Sequence, residues 1–71
     1  MELKKYLQHH DFTQHSFLEM IKEERGLSIP QSTFAKWITG QRIPRKNEMI
    51  ILYEITNKNV QPNDFYLTGL N

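Results

Sequence analysis

Gln31, Ser32, Thr33 and Lys36 bring together, on one short segment, side chains that donate and accept hydrogen bonds without an acid among them, and Arg42, Arg45 and Lys46 follow closely. Glutamine can pair with adenine, serine and threonine with either partner type, and lysine with guanine acceptors or a phosphate. The three cations that follow suit backbone phosphates. No acid lies between Arg25 and Glu48. A second set, His9, His10 and His15 with Asp11 and Ser16, has the residue types of a metal site or a hydrolytic triad. Its histidines straddle an expected chain break at Asp11-Phe12 and lack the same-face i, i+4 spacing of helical ligands, and nothing supplies an oxyanion loop. Neither a metal nor hydrolysis is expected of them.

Composition narrows the classes further. Seventy-one residues with 38% hydrophobic and 24% charged describe one small domain over residues 1–71. A chain this short has little core to give up to a deep catalytic cavity, so an enzyme, with its cofactor and small-molecule substrate, is not expected. The absence of cysteine removes disulfides, thiolate nucleophiles and cysteine zinc sites together. The longest apolar run is Met49 to Tyr53, far below the roughly 20 residues of a membrane span, and the first residues hold no apolar signal core. A cytoplasmic location is expected. The net charge of +1 is uninformative, but its distribution is not. Residues 28–49 hold Lys36, Arg42, Arg45 and Lys46 against Glu48 alone, while the segments on either side are each slightly acidic. A local basic patch is what phosphate contact requires.

Positioning these residues takes helices. Leu3, Tyr6, Leu7 and His10 form the one-sided stripe of a first helix over about residues 2–10. Thr13 is placed to cap a second helix, with Phe12 and Phe17 at the positions of a hydrophobic staple and Phe17, Leu18 and Ile21 along the buried face. Gly26-Leu27 is a natural terminator after Arg25, and Lys22 to Arg25 reads as a solvated helix end. The third helix starts within Ser28-Ile29-Pro30-Gln31, by either of two signals: Pro30 at the first helical position, or Ser28 and Gln31 as a capping box. Phe34, Trp37 and Ile38 then point one way and Ser32, Lys36 and Thr39 the other, until Gly40. That direction makes Trp37 a core residue rather than a platform for stacked bases. A fourth helix is expected from roughly Arg45 to Thr56, ended by Asn57 or Asn59 in the left-handed conformation. A short fifth begins at Pro62, with Val60 and Phe65 capping the core. Tyr66, Leu67 and Leu70 must either fold back on the core or bury in a second subunit.

Two helices joined by a glycine-containing turn of about four residues, across Gly26 to Lys46, have the arithmetic of a helix-turn-helix. The stretch Ile29 to Gly40 followed by Arg42-Ile43-Pro44 resembles the phage repressor and Cro-like helix-turn-helix family, in which a polar recognition helix ends in Trp-x-x-Gly ahead of a basic turn and proline. The opening Leu3 to Leu7, Thr13-Gln14, and the closing Val60 to Tyr66 look like the small YdaS/Cro-type regulators of that family, so the similarity spans nearly the whole chain. The resemblance implies an all-α fold, a compact lambda-repressor-like bundle of about five short helices that works as a homodimer on a palindromic operator. It implies base-reading positions at Gln31, Ser32, Thr33 and Lys36, and phosphate contacts at Gln14, Arg42 and Arg45. Thr39 and Lys46 join the phosphate set. Gln14 lies 23 positions before Trp37, about six more than the compact motif allows. The extra residues either lengthen the second helix, which would carry Gln14 away from the phosphates, or widen the turn; the Gly26-Leu27 terminator favours the longer helix.

The function expected is a sequence-specific regulator of double-stranded DNA, a Cro-like repressor in a bacterial or phage-infected cell, acting at the nucleoid. The alternative is a protein-interaction module on the same fold, an antitoxin or adaptor. Metal and membrane play no part in either.

Overall fold

The computed structural model describes residues 1–67, the last of them by its backbone. Five helices follow one another: α1 (Leu3–His9), α2 (Gln14–Arg25), α3 (Gln31–Thr39), α4 (Lys46–Ile55) and α5 (Pro62–Leu67). No strand occurs among the described residues. The all-α class and the five-helix count are those expected. The Cα radius of gyration is 11.0 Å, about what a compact chain of this length should have.

Local chemistry explains most of the boundaries. At the start of α2 the Thr13 hydroxyl accepts from the Ser16 amide at 3.0 Å, and the Ser16 hydroxyl accepts from the Thr13 amide at 3.0 Å, so serine completes a reciprocal box usually closed by glutamate or glutamine. The expected staple forms, with the Phe12 and Phe17 rings 5.3 Å apart and nearly perpendicular. Gly26 ends α2 in the left-handed conformation at φ 66°, so α2 takes the longer of its two possible forms. Gly40, at φ 79°, ends α3, and the amides of Gly40 and Gln41 donate back to the carbonyls of Trp37 and Lys36. That double closure is a Schellman turn. It turns the chain straight into the segment carrying Arg42.

The start of α3 follows neither expected signal. Pro30 stands one residue before the helix with extended backbone (φ −60°, ψ 139°), and its carbonyl accepts the first helical bond from Phe34. No side chain caps this end, so Ser28 and Gln31 form no box and the Gln31 side chain is left out of the cap. Proline's fixed φ suits the capping position as well as the first helical one, because the extended backbone of a cap includes φ near −65°. The connection from α2 to α3 is the five residues 26–30.

Two further differences concern helix ends. Lys22 to Arg25 is not wholly solvated, since Arg25 Nη1 lies 2.7 Å from Glu54 Oε1 and ties α2 to α4. Half-exposed pairs of this kind contribute only about 0–1 kcal/mol. After α4, Asn57 takes the left-handed conformation as expected (φ 55°), but Lys58 follows it there (φ 68°) rather than Asn59. Thr56 governs this exit. It is fully buried, its hydroxyl donates to the Leu52 carbonyl at 2.6 Å, and it accepts from the Val60 amide at 3.0 Å. One side chain therefore satisfies the end of α4 and steers Val60 into the core.

The core is built around rings. Tyr6, Phe17, Phe34 and Trp37 form a continuous chain with centroids 6.1, 5.7 and 5.9 Å apart, running from α1 through α2 to α3. The first and last of these contacts are edge-to-face, an arrangement that adds about 0.5–1.5 kcal/mol per pair beyond area burial. Leu3, Leu7, Ile21, Met49, Leu52, Val60 and Phe65 complete it. Val60 and Phe65 close the core as expected. Tyr66 does not fold back and is 52% exposed. The Leu67 side chain and Leu70, grouped with it in sequence, lie outside the described residues.

Candidate nucleic-acid interface

Helix α3 is held by one side and open on the other. Phe34 and Trp37 are buried and Ile38 is partly so, which fixes the rotation of the helix about its own axis. Ser32, Lys36 and Thr39, all within about 40° of the opposite direction, are exposed. They form a ridge over the nine residues of the helix. Its far end carries a qualification: the Thr39 hydroxyl donates to the Ala35 carbonyl at 3.1 Å, so its proton is already committed. A phosphate oxygen needs a donor, and Thr39 in this rotamer offers lone pairs instead.

Two grooves adjoin α3, one toward α2 that meets it at Gln31 and one toward α4 that meets it at Thr33 and Trp37. The groove toward α2 is lined by His15, Leu18, Glu19 and Lys22 from α2, then Ser28, Ile29 and Gln31. The groove toward α4 is lined by Pro30, Thr33, Trp37, Arg42, Ile43, Arg45 and Glu48. The four residues expected to read bases therefore split three ways. Ser32 and Lys36 stand on the ridge, Gln31 overlooks the α2 groove, and the half-buried Thr33 overlooks the α4 groove.

The residues expected to touch phosphate divide as well. Arg42 and Arg45 are exposed and share the α4 groove with Thr33. The Arg42 amide donates to the Lys36 carbonyl at 3.2 Å, which anchors its backbone to α3 itself. Arg45 precedes α4, and its amide donates to Glu48 Oε1 at 2.8 Å. Glu48 is thus occupied in capping α4 and leaves the Arg45 guanidinium to the surface. Lys46 goes elsewhere. It lines an apolar groove of about 430 Å³ between α4 and α5, with Pro44, Met49, Ile50, Pro62 and Tyr66. Gln14 is the half-buried first residue of α2 and lines neither groove beside α3.

His15, Glu19 and Lys22 also belong to this surface, beyond the residues expected there. Their spacing, i, i+4 and i+7, puts them on one face of a helix, and that signal was readable; which neighbour the face overlooks was not. His15 Nε2 lies 3.6 Å from Glu19 Oε1. The other two histidines are ring neighbours at the end of α1, their centroids 5.1 Å apart, with His10 also against Tyr6 at 4.3 Å. Among the described residues no three His, Asp or Glu side chains converge as a metal ion would need.

Chemically, the surface around α3 can donate and accept hydrogen bonds along a narrow convex strip and can neutralise anions along its α4 side. A strip one helix wide matches the major groove of a duplex, about 12 Å across. No helix among the described residues is long and apolar enough to cross a membrane. No family model, no curated protein and no solved structure matches the chain.

Proposed function

We propose that the protein is a sequence-specific regulator that binds double-stranded DNA through the outer face of α3, as a Cro-like repressor of the cytoplasm. The observation that carries this reading is the pairing of that exposed Ser32-Lys36-Thr39 ridge with Arg42 and Arg45 along one flank only. The ridge reads base edges, Gln31 and Thr33 extend it to either side, and the two arginines fix its register on one phosphate strand. No bond is made or broken; the protein acts by occupying its site. Two copies are required, because one nine-residue helix meets too few base pairs to stand out from competing sequence. Their α3 helices would enter successive major grooves about 34 Å apart on one face of a palindromic duplex.

The test is electrophoretic retardation of a random duplex pool at low and raised salt, followed by selection of preferred sites. Binding that falls steeply with salt is expected. On the selected site, Gln31→Ala should relax sequence preference, whereas Arg45→Ala should weaken all sequences alike and flatten the salt slope by about one phosphate contact. Arg45→Ala keeps the backbone amide that Glu48 caps, so its effect is read on a folded helix. Indifference to DNA at low salt, with tight capture of a protein partner, would replace this reading by an interaction module.

A further inference from the structure

The two grooves beside α3 carry different charge although each is supplied with cations. On the α4 side Arg42 and Arg45 outnumber the single acid, Glu48, by one net positive charge. On the α2 side Lys22 is matched by Glu19, and the His15 ring, counted as neutral, lies 3.6 Å from that carboxylate. One groove is basic and the other is balanced. Glu19 alone sets that balance, since Ser28 and Gln31, the polar residues on the opposite wall, carry no charge.

We infer, resting on the DNA-binding reading above, that Glu19 is a specificity-determining residue that works by repulsion, keeping the α2 groove from gripping a phosphate strand. A duplex approaching α3 is then held electrostatically on the α4 side only. On an unmatched sequence the domain is free to settle wherever phosphates are best neutralised, and a second basic groove would reward that settling whatever the bases were. With Glu19 present, the α2 side gains nothing from a phosphate. Its contribution must come from Gln31 reaching a base, so wrong registers are penalised while the right one is not. Seated on its preferred site, the domain has its register fixed by base contacts and does not depend on the α2 groove.

The experiment compares three variants on two probes, a random-sequence duplex and the duplex selected by the unaltered protein. Glu19→Gln should tighten binding to the random duplex on the order of fivefold, steepen its salt slope by roughly one, and change the selected duplex less, so that the specificity ratio falls. Lys22→Gln should move the ratio the other way. Glu24→Gln makes the same change in net charge about 140° around α2 and should leave the ratio unaltered. Glu19 and Glu24 are both exposed, and equal melting temperatures would show that the fold is unaffected. A ratio that Glu19→Gln leaves unchanged, or that Glu24→Gln lowers equally, overturns the role of Glu19 while DNA binding stands. Absence of any salt-dependent retardation by the unaltered protein overturns both.

Discussion

The inner and outer faces of α3 are drawn from the same nine residues, yet they answer to different constraints. Phe34 and Trp37 are buried in the chain of rings that joins α1, α2 and α3, so any change there is felt across the molecule. Ser32 and Lys36 are exposed, and none of the described hydrogen bonds or ion pairs uses their side chains. The fold does not need them. A helix anchored on one side and idle on the other presents its outer side chains at a fixed angle without spending stability on them. Stability and recognition should therefore be separable, residue by residue, along this one helix.

The strongest way to break that separation is from the inside. Phe34→Ala should cost about 3–5 kcal/mol, measured as a lowered denaturant midpoint. In a domain of this size that is most of the stability available, so DNA binding should disappear with the fold. Thr56→Val, at the end of α4, should cost about 1–3 kcal/mol, because it removes the hydroxyl that accepts from the buried Val60 amide while keeping the shape. Its binding, measured below the melting temperature, should be unchanged. Lys36→Ala is the opposite case. Its stability should stay within about 0.5 kcal/mol of the starting protein, whereas discrimination between the selected duplex and single-base variants of it should drop by about 1–3 kcal/mol. The smallest change expected is a gain: Lys58→Gly relieves a left-handed lysine and should raise stability by about 0.5–1 kcal/mol, read as a higher melting temperature with no effect on DNA. A Lys36→Ala variant that melted early, or a Lys58→Gly variant that lost specificity, would show the two faces to be coupled.

What the sequence made legible follows the range of the interaction. Thr13, Gly26 and Gly40 act on their own few neighbours, and all three sit where local rules put them. The apolar period of α3 likewise sorted Phe34 and Trp37 inward from Ser32, Lys36 and Thr39 outward. Interactions between helices were not legible. Nothing in Lys22 to Arg25 says that Arg25 meets Glu54, 29 residues on. Nothing in Thr56 says that it closes over Val60, because a buried hydroxyl at a helix end looks the same in sequence as an exposed one. The split of the candidate site is of the same kind. Arg45 and Lys46 are adjacent in sequence, but Arg45 sits in extended backbone before α4 while Lys46 is the first helical residue, and the two side chains line different grooves. The α2 groove was missed because a stripe on one helix acquires meaning only when its neighbour is placed.

The most direct test of the central claim is to titrate isotope-labelled protein with a short random-sequence duplex at low salt and follow each backbone amide. The outer face of α3 and the segment through Arg45 should shift together, with Ser32, Lys36 and Arg42 among the largest changes, and those shifts should fade as salt is added. Shifts confined to Ile50 and Tyr66 across α4 and α5, or none anywhere, would contradict it.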